Sequence, residues 1–141
     1  MKKTIFPVFL SILLLLTSCS SSSGKTFEIH IGGYKGTVAF EKVEIDDEKE
    51  ASEGQKSLTV HFYVRKSQDG TNIMDMNSLD MSELQKTIFV ESNEGDFPLT
   101  EIFLGYSQKR GLYPVFVFEI PKDSEIKDYT LHIDDESLSL K

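Results

Sequence analysis

The sequence predicts an all-β protein, an antiparallel β-sandwich of about seven to eight strands. Apolar and polar residues repeatedly alternate with a period of two, which is the pattern of half-buried strands. Turn-forming residues such as Gly32-Gly33 and Asn93-Glu94-Gly95 separate these segments. Helical periodicity is nearly absent, so the strands must bury their apolar faces against one another. A small barrel is the main alternative architecture.

The first half of the chain contains three predicted strands. Residues 27–31 alternate cleanly, and residues 58–64 do so most clearly of all. In the longer segment 37–45 the apolar residues change parity near Glu41-Lys42, which predicts a β-bulge there. The acidic residues 46–55 show no apolar periodicity and are predicted to form a loop.

The second half begins with a connection over 66–78 and a helical turn over 82–85. Further strands are predicted over 87–91, 97–103 and 113–120, followed by a hairpin built on Tyr129 to Ile133 and Leu138 to Leu140. Pro121 ends the strand over 113–120 because proline cannot donate to a strand ladder.

The N-terminus is organised as a secretion signal. Two lysines precede an apolar run over residues 5–16, which is shorter than the ~20 residues that span a bilayer. The following Leu16-Thr17-Ser18-Cys19 resembles the lipobox of bacterial lipoproteins. The resemblance implies a diacylglyceryl group on Cys19 and cleavage before it. We therefore expect a signal peptide over 1–18, a lipidated tether over 19–25 and a β-domain over 26–141.

Lipidation predicts the location of the protein. Each buried CH₂ contributes ~0.8 kcal/mol, so two acyl chains give stable membrane attachment. Cys19 is the only cysteine, which excludes an intrachain disulfide. We expect attachment to the extracytoplasmic face of the cell membrane. In a Gram-negative cell, Ser20 after the cysteine resembles the sorting pattern that permits transport to the outer membrane.

Composition limits the classes of partner. Removing residues 1–18 leaves 123 residues, enough for one domain, and lowers the net charge from −8 to −10 because Lys2 and Lys3 are lost. Nucleic-acid binding is not expected, since phosphate contacts need a basic surface. The acidity is explained by solubility or, alternatively, by a basic partner.

Four sequence segments between Tyr34 and Ile133 occur in a characteristic order. They are Thr37–Asp47, Leu58–Val64, Ile88–Gly95, and Phe116–Pro121 followed by Tyr129-Thr130-Leu131. In this order they resemble the immunoglobulin-like domain of unknown function found in small lipoproteins of Gram-positive bacteria. The resemblance implies an immunoglobulin-like antiparallel β-sandwich and no assigned activity. It also implies that the Tyr129 hydroxyl bonds to upstream backbone, and that Leu131 lies in the core.

The sequence contains no catalytic or cofactor-binding constellation. His30, His61 and His132 each lie between apolar strand residues, so they point away from the core, where solvated histidines are more common than a zinc site. The acidic loops 46–53 and 123–128 share a pole in an immunoglobulin-like topology but lack a calcium-loop pattern. Nucleophile and phosphate-loop motifs are missing. We expect no enzyme activity, no cofactor and no metal.

A candidate binding surface lies within residues 97–116, which are rich in aromatic and apolar side chains. Tyr106, Arg110 and Tyr113 are residue types that dominate protein interfaces. The alternative is that most of this segment completes the core. We therefore expect a non-catalytic interaction module for another envelope protein; an immunity or exclusion factor is a concrete version by analogy. The alternative function is a solute- or metal-binding accessory lipoprotein.

Overall fold

Eight antiparallel strands and one short helix make up the part of the chain that the structure, a computed structural model, describes: residues 24–67, 76–109 and 111–141. The strands are β1 (Thr26–Ile31), β2 (Tyr34–Asp46), β3 (Gln55–Ser67), β4 (Ile88–Ser92), β5 (Gly95–Ser107), β6 (Gly111–Pro121), β7 (Thr130–Ile133) and β8 (Glu136–Ser139). Helix α1 spans Met81–Thr87, and 3₁₀ turns lie at Met76–Ser78 and Ile126–Asp128. The all-β prediction is confirmed.

The strands form one nearly closed, barrel-like sheet in the order β1-β2-β3-β6-β5-β4-β7-β8. The predicted sandwich is not confirmed, because β5 holds the two halves of the sheet together. Its first residues pair with β4, and the rest of this thirteen-residue strand pairs with β6. The edge strands approach each other where Glu28 N donates to Glu136 Oε2 at 3.4 Å.

The core lies inside this sheet and is rich in phenylalanine. Phe62 on β3 occupies its centre, with ring centroids 6.0 Å from Phe27, 6.3 Å from Phe40 and 4.9 Å from Phe116. These four side chains are at most 3% exposed. Edge-to-face and tilted aromatic pairs at such distances add to the free energy that burial alone provides. The alternation that predicted β1, β3 and β6 therefore identifies the true inward faces.

The predicted β-bulge is confirmed. Phe40 pairs with Phe62 and Lys42 pairs with His61, so Glu41 is the extra residue on β2. An unpaired residue reverses the parity of the strand beyond it. Val43 and Ile45 consequently face the core again, and Lys42 is placed beside His61 on the outer face of the sheet.

The helical turn predicted over 82–85 is the centre of helix α1. Asp80 caps its N-terminus by accepting from the backbone N–H groups of Ser82 and Glu83, at 3.1 and 3.3 Å. Such a cap satisfies donors that have no partner within the helix. Leu84 of this helix packs against the core, and the Gln85 side-chain amide donates to the Leu99 carbonyl at 2.8 Å.

Tyr129 is buried, at 1% exposure, and Leu131 is fully buried, as predicted. The Tyr129 hydroxyl bonds upstream, but its acceptor differs from the prediction. It donates to Ser124 Oγ at 2.9 Å, and Ser124 Oγ donates to the Pro121 carbonyl at 2.6 Å. The tyrosine thus reaches the upstream backbone through a serine side chain.

Candidate interaction surface

The β5–β6 hairpin carries two of the three residues predicted to bind a partner. Tyr106 is opposite Leu112, and Tyr113 is opposite Gly105. Because side chains alternate along a strand, Tyr106 and Tyr113 point to opposite faces of the hairpin. Tyr106 lies beyond the end of the core and is 69% exposed. Arg110, the third predicted residue, lies outside the described residues.

Most of the apolar residues between 97 and 116 complete the core. Leu99 and Ile102 are at most 5% exposed, and Phe97 and Leu104 pack against the same cluster. The Phe97 ring lies edge-on to the Tyr129 ring, with centroids 5.9 Å apart. The structure therefore supports the core interpretation for this segment, and Tyr106 is the main exception.

Tyr113 packs directly over Gly105 on the neighbouring strand. A Cβ atom placed on Gly105 would lie 2.3 Å from Tyr113 Cε2 and Cζ. A real Cβ cannot approach that closely, so the ring position depends on glycine at residue 105. Packing on this backbone holds Tyr113 flat against the outer face of the sheet.

A groove of about 330 Å³ opens beside Tyr113 on the outer face. Its lining residues come from β2, β3 and the β5–β6 hairpin: Glu41, Lys42, His61, Ser107, Lys109 and Tyr113. The His61 and Tyr113 ring centroids are 6.2 Å apart. The groove thus combines an aromatic ring, an imidazole, the ammonium groups of Lys42 and Lys109 and the carboxylate of Glu41, so it carries charges of both signs.

His61 sits at the floor of the groove against Glu44. Its Nε2 lies 3.0 Å from Glu44 Oε1 and 3.3 Å from Thr59 Oγ1. Burial lowers the pKa of His61, the charge of Lys42 lowers it further, and Glu44 and Asp46 oppose both effects. A histidine with a pKa below its usual range of about 6.5 is mostly neutral at pH 7.

The three histidines do not come together. His30 is exposed on β1, whereas the His132 ring stacks on Phe89 with centroids 4.6 Å apart. His132 Nε2 also lies 2.8 Å from Glu91 Oε2. Within residues 24–67, 76–109 and 111–141, no three His, Cys, Asp or Glu side chains are grouped closely enough to hold a metal ion.

The two acidic loops lie side by side, as predicted. The Lys122 amide donates to the Gly54 carbonyl at 3.0 Å, and Lys56 Nζ donates to the Ser124 carbonyl. The Ser52 amide and hydroxyl both bond to the carboxylate of Glu119, at 3.2 and 3.0 Å. These bonds fold the 46–55 loop back against β6.

Sequence reasoning did not identify the groove, although one of its causes was visible. The parity change at Glu41-Lys42 predicted the bulge that puts Lys42 opposite His61. Ser107 and Lys109 lie near His61 because β3 pairs with β6 and β6 pairs with β5. Pairing between distant segments leaves no local pattern in a single sequence.

Comparison with protein-family models, with curated proteins and with solved structures found no match. Across the described ranges, none of the helices combines the length and the apolar character needed to cross a membrane. Cys19 and the predicted signal peptide lie outside the described residues.

Proposed function

We propose that the protein is a membrane-tethered, non-catalytic binding module that contacts another envelope protein through its β5–β6 hairpin. The observation that carries this proposal is Tyr106, a large side chain that is 69% exposed at the end of a paired hairpin. Tyrosine is enriched at the energetic centres of protein interfaces. It has only two side-chain torsions, so ordering it on binding costs little entropy.

The position of the hairpin relative to Gly24, the first described residue, supports this proposal. Gly24 and Lys25 pair with Phe40, half-way along β2, and β1 runs from there toward the Gly32-Gly33 turn. The β5–β6 hairpin lies at that same end, since β5 and β1 both end there in the antiparallel order. Tyr106 thus lies at the end of the sheet away from Gly24, where it is exposed to a partner.

The contacts of His61 support a non-catalytic role. Thr59 and Glu44 both approach the same ring nitrogen, Nε2. A nucleophile–base–carboxylate relay needs the nucleophile and the carboxylate on opposite ring nitrogens. His61 is thus arranged as a paired residue in a binding groove. The immunoglobulin-like sandwich and the immunity or exclusion role stay predictions.

Photo-cross-linking in living cells tests the proposal. A photoreactive amino acid is placed at Tyr106 of the full-length protein and, as a matched control, at the exposed Lys122 near the opposite end. We expect one dominant protein adduct from position 106 and none from position 122. Cys19→Ala should abolish the adduct, because the variant is not held at the membrane. Absence of a protein adduct at position 106, or an equal one at position 122, would refute the proposal and favour the solute-binding alternative.

A further inference from the structure

The outer face of the sheet contains buried side chains that do not belong to the core. Ser57 and Thr59 on β3 and Val117 on β6 are at most 2% exposed. Their neighbours Leu58 and Phe118 are core residues, so the alternation of side chains along a strand directs Ser57, Thr59 and Val117 outward. Side chains on the outer face of a sheet are this deeply buried only where another part of the chain lies over them.

The loop between β2 and β3 covers this part of the outer face. We call residues 47–54 the strap. Lys49 Nζ lies 2.6 Å from Glu101 Oε2 on β5, and Glu101 is opposite Val117 on the outer face. β5 is three strands away from β2 in the sheet order, a separation of about 14 Å. A loop that starts on β2 and reaches β5 must therefore cross the outer faces of β3 and β6.

A second contact holds the strap near Ser57. The Ser52 amide and hydroxyl both bond to the carboxylate of Glu119, which is opposite Ser57 on the outer face. Ser57 Oγ is buried and has no hydrogen-bond partner among the described residues. A buried hydroxyl without a partner is unfavourable. Closure of the strap over Ser57 therefore carries a cost that opening would remove.

The strap lies on a surface of like charge. It contains four carboxylates and one lysine, and it contacts the carboxylates of Glu101 and Glu119. Residues 47–54 form neither helix nor strand, so few backbone hydrogen bonds hold them in place. Lys49, whose ammonium group also lies 5.9 Å from the centroid of the Phe103 ring, supplies the attraction of opposite charge. The closed position of the strap thus depends strongly on Lys49.

The covered surface continues the groove beside Tyr113. Ser57, Thr59 and His61 alternate along β3, so their side chains form one row on the outer face. His61 lines the groove, and Thr59 Oγ1 lies 3.3 Å from His61 Nε2. Opening of the strap would therefore extend the groove from His61 to Ser57, a length of about 13 Å along the strand.

We infer that the strap is a lid, held closed by the Lys49–Glu101 ion pair, whose opening extends the groove over Thr59 and Ser57. The inference concerns the outer face and not Tyr106, so it does not depend on the proposed function. The side chains of Lys49 and Glu101 are 30% and 47% exposed. An ion pair that is partly exposed contributes little free energy, so the open state is accessible from the closed one.

Thiol labelling of the full-length protein, purified in detergent, tests the inference. Ser57→Cys introduces a thiol under the strap, and Val60→Cys introduces one at a fully buried core position of the same strand. Peptide mass spectrometry reads the two positions separately from Cys19. We expect the thiol at position 57 to react at least about tenfold faster than the thiol at position 60, because local opening exposes only the first.

Charge reversal tests the role of the ion pair. Lys49→Glu should accelerate labelling at position 57 about fivefold, and adding Glu101→Lys should reverse this effect because opposite charges then face each other again. Lys127→Glu is the matched control, since it breaks the exposed pair with Glu125 and changes the net charge equally. It should leave the labelling rate unchanged. Urea unfolding verifies that each variant folds, and Lys49→Gln replaces Lys49→Glu if the latter does not.

Three results would overturn the inference. Equal labelling rates at positions 57 and 60 would show that the outer face becomes accessible only on global unfolding. A rate at position 57 that Lys49→Glu and Lys49→Gln leave unchanged would show that the ion pair does not hold the strap closed. Equal acceleration by Lys49→Glu and by Lys127→Glu would show that only the net charge matters.

Discussion

Gly105→Ala is the substitution that most directly tests the packing of the groove. The new methyl group would lie 2.3 Å from two atoms of the Tyr113 ring. Contacts of this kind cannot persist, so either the ring or the β5 backbone must move. The ring is half-buried and can rotate toward solvent, whereas β5 is paired along most of its length. We expect the ring to move.

Two opposing effects determine how much Gly105→Ala changes the free energy of unfolding. Introducing a methyl group into a filled site costs about 1–3 kcal/mol. Replacing glycine by alanine where the backbone angles are compatible stabilises by about 0.4–1 kcal/mol through the unfolded chain. Gly105 is not among the glycines with positive φ, so alanine fits its backbone. Gly105→Ala should therefore destabilise the protein by about 0.5–2 kcal/mol.

The effect of Gly105→Ala on stability should have the opposite sign when Tyr113 is absent. In a Tyr113→Ala background the obstacle is gone, and Gly105→Ala should stabilise by about 0.4–1 kcal/mol. Urea unfolding of the four variants, followed by far-ultraviolet circular dichroism because the chain lacks tryptophan, gives the coupling free energy. A coupling energy near zero would show that Tyr113 does not lie over Gly105.

Two further substitutions test individual contacts. Tyr129→Phe removes a buried hydroxyl that donates to Ser124 Oγ at 2.9 Å, and it should lower the free energy of unfolding by about 1 kcal/mol. Tyr106→Phe, at an exposed position, is the control, and equal effects of the two substitutions would contradict the buried hydrogen bond of Tyr129. Burial lowers the pKa of His61, so the unfolded chain binds more protons below about pH 6.5 and stability falls as pH decreases through that value. His61→Gln should reduce this loss between about pH 7.5 and about pH 5.5, and an unchanged loss in urea midpoints would contradict the lowered pKa.

The sequence predicts the local elements of this fold well. Strands β1, β3 and β6 are visible because one face of each is buried and the other is not, which produces a period of two. The bulge at Glu41 is visible for the same reason, since parity changes within a single strand. Even Asp80, the N-cap of α1, is a residue type that favours this position.

The arrangement of the sheet could not be predicted in the same way. Residues 95–98 have no clean alternation and include Pro98, so the strand was expected to begin at Phe97 and to end at Phe103. The observed β5 is longer at both ends and connects β4 to β6. Whether two sets of strands form a sandwich or one continuous sheet depends on that connection. The placement of Tyr106 and Tyr113 on opposite faces depends on the same pairing.

The charge of the chain shows why composition alone is a weak guide to a partner. A net charge of −8 suggests a solubility effect or a basic partner. The net charge, however, takes no account of where each charged residue lies in the folded protein. The antiparallel order brings the acidic loops 46–53 and 123–128 together at one end of the sheet. Screening over about 8 Å then weakens the effect of these loops at the other end of strands that are about 40 Å long. The net charge alone therefore does not determine the charge that a partner meets at the β5–β6 hairpin.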